Sequence, residues 1–167
     1  MKEPLITDFK STVGPALGKI PSGLAIATAQ HEAERTGFLA SWFQQVSFDP
    51  PLVMVCVKAG RPIESLIEGS GHFALNFLAE GDFASLKRYG KGFEPGQDPW
   101  AGTPEELLHG HPAPVFASGF AFLVLKHTRT LDPGGDHLIH IGEVISGSLQ
   151  NAEAKPYIHL RKDGFGY

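Results

Sequence analysis

Thr36-Gly-Phe-Leu-Ala-Ser-Trp-Phe-Gln-Gln-Val-Ser-Phe-Asp-Pro-Pro-Leu-Val-Met-Val-Cys-Val-Lys58 holds the transition on which the architecture turns. It starts as a strand at Phe38–Ser41, breaks into a polar segment, halts at Pro50-Pro51 and resumes as the Val-rich run Leu52–Lys58. A continuous apolar run of that length predicts a strand buried on both faces. Two adjacent prolines between apolar runs argue against a helical bundle, because proline removes the N–H that a helix interior needs.

The flanks read the same way. Upstream, residues 1–13 look like a lead-in, a short strand or a helical turn, and Gly14-Pro15 to Pro21-Ser22-Gly23 is punctuated too often for a long element. Leu24–Ala29 is a strand. His31–Gly37 is a polar connection that makes a hairpin with the strand starting at Phe38. Downstream, Gly60–Gly69 predicts a helix, with Pro62 at its first position, an apolar stripe at Ile63, Leu66 and Ile67, and Gly69 as its stop. His72–Ala79 returns to strand. Asp82–Tyr89 predicts a short helix capped by Asp82, with Phe83, Leu86 and Tyr89 facing inward. From Gly90 to Pro114 the chain is loop-like around a helical turn at Pro104–Leu108; a loop that long is usually functional or covers something. Two long strands, Phe120–Thr130 and His137–Ser146, meet through the turn Asp132-Pro-Gly-Gly135, and Tyr157–Leu160 is a last short strand. With 20 Gly and 13 Pro and no internal repeat, the reading is one mainly β domain over residues 1–167, a β-barrel with a few short helices.

Composition narrows the chemistry. A formal net charge of −4 argues against a nucleic-acid partner, which needs a concentrated basic face. The lone Cys56 excludes an intramolecular disulfide and, inside Leu52–Val57, reads as a buried structural thiol. No signal peptide or membrane-length apolar run is visible, so the expected setting is cytoplasmic. No nucleophile elbow, Walker loop, dinucleotide fingerprint or zinc-binding His-Glu-x-x-His is present. Eight histidines invite a metal reading, yet His109/His111 lack partners at a recognised spacing, and His137 and His140 fall on opposite strand faces, so no metal site is expected. Lys58, Ala59, Gly60 and Arg61 precede a helix start, where free N–H groups and two cations suit an anion; a solvated turn is the plain alternative. In the polar gap, small Gly37, Ala40 and Ser41 let backbone approach a flat ligand that Trp42, Phe43 and Phe48 could wall. An edge strand with its aromatics in the core is the competing reading.

Phe38–Val57 resembles the flavin-contacting segment of the flavin reductase-like family, whose fold is the FMN-binding split barrel. The resemblance extends through Ile20-Pro-Ser-Gly-Leu-Ala, His72-Phe-Ala-Leu-Asn-Phe-Leu, Gly135-Asp-His137, Ile141-Gly-Glu-Val144 and the aromatic tail. It implies a homodimer with one FMN (or FAD) per barrel, NAD(P)H as donor, and a monooxygenase or redox protein as acceptor. Phe38, Leu39, Ala40, Ser41 and Trp42 would line the ring, and Ser47, Pro50 and Pro51 would support the ring or ribityl side. Lys58, Ala59, Gly60 and Arg61 would hold the phosphate, and Phe73 and Asn76 would flank the flavin. His137 would stand near the nicotinamide, or would be a structural histidine at a strand start. Gly37-Phe-Leu-Ala-Ser-Trp42, Arg61-Pro-Ile-Glu-Ser65 and Phe93–Asp98 look closer to the flavin reductase-like module of cyanobacterial flavodiiron proteins. Two functions follow: an NAD(P)H:flavin oxidoreductase, or an FMN-binding electron carrier without a nicotinamide site. A barrel for another ligand such as haem, or a dimeric scaffold, is the non-flavin reading.

Overall fold

The computed structural model describes residues 8–102 and 106–166. Helix α1 (Phe9–Leu17) is followed by strands β1 (Ser22–Gly23), β2 (Ala25–His31), β3 (Glu34–Ala40), β4 (Phe43–Phe48) and β5 (Pro51–Lys58). Then come α2 (Ile63–Ser70), β6 (His72–Phe77), α3 (Phe83–Tyr89), β7 (Leu107–Leu108), β8 (Val115–Phe116), β9 (Ala121–Leu131), β10 (His137–Leu149) and β11 (Ile158–His159).

Seven strands form one antiparallel sheet in the order β3-β2-β6-β9-β10-β5-β4. Its two edges, β3 and β4, are consecutive in the chain and joined only by Ser41 and Trp42. Two residues span roughly 7 Å beyond the strand ends, so the sheet must curl until its edges nearly meet. The barrel is closed by covalent linkage and left split between β3 and β4. Trp42 marks the crossing, its carbonyl accepting the Cys56 N–H at 2.8 Å.

Small Ala25, Ala27 and Ala29 on β2 let α2 pack closely, and Ile63, Leu66 and Ile67 join them in a core with Val53, Val55, Val57, Phe73 and Leu75. A second cluster on the other side of β2 joins Leu24 and Ile26 to Tyr89, Trp100 and Phe116. The strands buried on both faces are therefore β2 and its neighbour β6. The expected one, β5, alternates: Val53, Val55 and Val57 face the core while Leu52, Met54 and Cys56 are half-buried.

Other expectations change for local reasons. Helix α1 runs through Gly14-Pro15; Pro15 costs one backbone hydrogen bond, while Gly14 and Gly18 give a small-residue face to the C-terminal tail. The polar His31–Gly37 segment is mostly strand, because β3 is a sheet edge that tolerates polar side chains, and the turn shrinks to Glu32-Ala33. Helix α2 passes Gly69 and stops at Gly71, whose φ of 68° supplies the left-handed cap; Pro62 is its N-cap. Phe83 is exposed, whereas Tyr89 is buried. Leu107-Leu108 pairs with β8 as strand where a helical turn was expected, and residues 104–105 of that turn lie outside the described residues. From the 90–114 segment Phe93, Trp100 and Leu107 cover the second core, and the bidentate Arg35–Asp98 pair and the Arg88 guanidinium on the Pro99 carbonyl hold its 90–102 part.

Candidate functional site

At the split lies a cleft of about 540 Å³, within the range of small-molecule sites. Phe38, Leu39, Ala40, Ser41 and Trp42 line it from β3 and the link, Lys58 and Arg61 from the end of β5 and its turn, and His137 from the start of β10. The β10–β5 register places His137 opposite Lys58, which brings residues 79 positions apart into one wall. Eight residues singled out from sequence thus converge.

The other candidates do not line this cleft. Phe73 is fully buried in the core, where a Cβ on Gly142 would come within 2.8 Å of its ring. Asn76 is a buried staple: its Nδ2 donates toward the Ile26 and Pro114 carbonyls at 3.3 Å, and its Oδ1 accepts the Phe116 N–H at 2.9 Å. Ser47 lies half-buried near the end of β4, and Pro50 and Pro51 are exposed at the β4–β5 turn, with its cis Asp49–Pro50 bond, and at the first position of β5. Ala59 and Gly60 form the turn behind Lys58, with the Ala59 N–H on the Asp136 carbonyl.

The turn differs from the open anion nest expected there. Gly60, at φ 86°, bends the chain so that its N–H and that of Arg61 converge, and Glu64 Oε1 accepts both at 2.7 and 3.2 Å. A carboxylate in the first turn of α2 thereby satisfies the donors. An anion at this end meets the Lys58 and Arg61 side chains, not free backbone N–H groups. Arg61 is already oriented, its guanidinium 4.9 Å from the Phe38 ring centroid.

Along the opposite wall the rings are ordered. Trp42 lies 4.8 Å from His137, and the Arg161 guanidinium lies 5.3 Å from Trp42. His137 Nδ1 is 2.7 Å from Asp136 Oδ1, and that contact holds the Asp136 carboxyl below the usual range. Cys56 borders the cleft instead of lying in the core, because β5 alternation sends it outward; partial burial pushes its thiol up, away from the reactive thiolate. Arg161, Gly164, Phe165 and Gly166 complete the wall from the tail. Sequence pattern carries no sign of that wall beyond a glycine- and aromatic-rich end. His140, by contrast, is fully buried, and burial with the nearby His127 charge lowers it to about 4. Among the described residues no group of three or more His, Cys, Asp or Glu could hold a metal, and no helix is long and apolar enough to cross a membrane.

The family model described as "Flavin reductase like domain" matches residues 17–165. The chain belongs to the flavin reductase-like family. Within it, Diflavin flavoprotein A 1 of Synechocystis is 35% identical over 163 residues, 97% of this chain but 28% of that protein. This flavin reductase-like chain thus spans little more than a quarter of the curated relatives it matches. The NADH:FAD oxidoreductase of Streptomyces globisporus superposes with a TM-score of 0.76 at 27% identity, covering 87% of this chain and 86% of that one. Nitrilotriacetate monooxygenase component B from Mycobacterium thermoresistibile gives 0.73 at 30% identity, with 89% and 80% covered. The fold is the split barrel of the flavin reductases.

Proposed function

We propose that this chain is a flavin-dependent oxidoreductase that binds FMN, with FAD the alternative, and is reduced by NAD(P)H. The observation that carries the reading is the convergence at the barrel split of a flat backbone floor (Leu39–Ser41), aromatic walls (Phe38, Trp42) and two cations (Lys58, Arg61). These residues fit a flavin: the small floor admits a planar ring, and the cations suit a phosphate. The redox chemistry, accepting hydride from a nicotinamide donor and delivering electrons to an acceptor, would be supplied by the flavin when bound.

The protein's own part is placement. Phe38 through Trp42 present backbone and aromatic edges to the ring, Lys58 and Arg61 neutralise the phosphate, and His137, oriented by Asp136, faces the donor side. No nucleophile is required, in keeping with the elevated Cys56 thiol. A NADH:FAD oxidoreductase of this fold in complex with NAD and FAD fragments supports both ligand classes here. Exposed Val46, Phe48, Ile145 and Leu149 support a homodimer, and the Mycobacterium component B supports a monooxygenase as acceptor, with a redox protein the alternative. The setting proposed is cytoplasmic.

One observation favours a second reading, an electron carrier fed by a protein partner: the matched relatives are diflavin proteins several times longer than this chain. Gel filtration of protein mixed with FMN tests the flavin assignment. Co-elution of flavin absorbance with protein, and a dimer mass by light scattering, are expected; protein that emerges colourless and shows no FMN uptake by titration overturns both flavin readings.

A further inference from the structure

Three cations, Lys58, Arg61 and Arg161, face one cleft in a chain of formal charge −4, and among the described residues Asp136 is the only acidic one lining it. Asp136 is engaged by His137, and the ion pairs among the described residues, Arg35–Asp98 and His137–Asp136, use none of the three. The cleft is built for more than one anionic group. Lys58 stands beside His137 in register, and from His137 the wall continues by ring steps of 4.8 Å to Trp42 and 5.3 Å to Arg161. The His137 and Trp42 rings lie between Lys58 and Arg161 along this wall, so the two cations face the cleft at different places and suit separate anionic groups.

Arg161 is also fixed in place. Its backbone N–H donates to the Gly18 carbonyl at 3.2 Å, and a Cβ on Gly18 would lie 2.7 Å from the Arg161 carbonyl, so only glycine admits the tail. Gly164 seats the same tail on Leu17, where a Cβ would come within 2.1 Å. A guanidinium held over an aromatic ring still has N–H groups to offer an oxyanion.

We propose that Arg161 binds the diphosphate of the dinucleotide donor, with Trp42 holding its guanidinium in position, while Lys58 and Arg61 serve the flavin phosphate. The proposal rests on the flavin reading above. It makes the tail a determinant of donor choice: a dinucleotide is favoured over a bare nicotinamide nucleoside.

Isothermal titration of FMN-loaded protein with NAD⁺, ADP-ribose and nicotinamide riboside tests it. Arg161→Ala should weaken NAD⁺ and ADP-ribose roughly 10–100-fold, the scale of charge-assisted hydrogen bonds, and leave nicotinamide riboside and FMN within about threefold. Arg161→Lys keeps the charge without the fork and should lose a smaller share, which keeps the test decisive where the alanine variant melts early. Equal weakening of NAD⁺ and nicotinamide riboside overturns the proposal, as does weakened FMN with NAD⁺ unchanged. Wild-type protein that takes up no FMN overturns the flavin reading and this proposal with it. FMN-loaded protein whose NAD⁺ affinity ignores Arg161→Ala overturns this proposal alone.

Discussion

Replacing Lys58 and Arg61 together by alanine separates the phosphate end of the cleft from the ring end. Glu64 already occupies the N–H groups of Gly60 and Arg61, so the two side chains are the donors left for a phosphate at this turn. Charge-assisted hydrogen bonds are each worth about 1.5–3 kcal/mol. Lys58 is exposed and Arg61 half-buried, so screening trims the pair to about 2–4 kcal/mol, or roughly 30–1,000-fold in FMN affinity. Riboflavin has no phosphate and should lose about threefold or less, the part owed to the Arg61 stack on Phe38. Fluorescence titrations of FMN and riboflavin against both proteins, at two ionic strengths, measure this. FMN binding to wild type should weaken with salt and binding to the double variant should not. Equal losses for FMN and riboflavin would refute the phosphate assignment.

Two further outcomes follow from buried titratable groups. His140 is neutral in the fold, its pKa lowered from 6.5 to about 4 by burial and the His127 charge. The unfolded chain binds a proton there first, so its contribution is present above pH 6.5 and is lost as the pH falls toward 4. That gap corresponds to about 3 kcal/mol, to be read from urea unfolding across this window, and His140→Leu should remove that part of the slope; an unchanged slope would contradict the assignment. Cys56 should react slowly with iodoacetamide near neutral pH because burial raises its pKa, and saturating FMN should slow it further. Alkylation at the same rate with and without FMN would place the flavin elsewhere.

Much of the fold was legible because its cues are local. The Asp132–Gly135 turn, the Ile63/Leu66/Ile67 stripe and the Asp82 cap each act within a few residues, and the corresponding elements form. The cleft's near wall was legible for the same reason, since Phe38–Trp42 and Lys58–Arg61 flank one strand pair. What escaped depends on partners distant in sequence. The Glu64 carboxylate closes a nest that looks open in the motif, and β7 exists only through pairing with β8. Arg161 reaches Trp42 across 119 positions because Gly14, Gly18 and Gly164 let the tail lie on α1. Phe73 and Asn76 matched a family pattern, but strand alternation sends Phe73 into the barrel core and Asn76 to the opposite, equally buried face against Pro114 and Phe116.

The central claim, a flavin cleft with its own nicotinamide donor, is tested most directly by anaerobic stopped-flow mixing of FMN-loaded protein with NADH and with NADPH. Loss of flavin absorbance near 450 nm with at least one donor, saturating with donor concentration, is the predicted result. Retained FMN absorbance with both donors would contradict it.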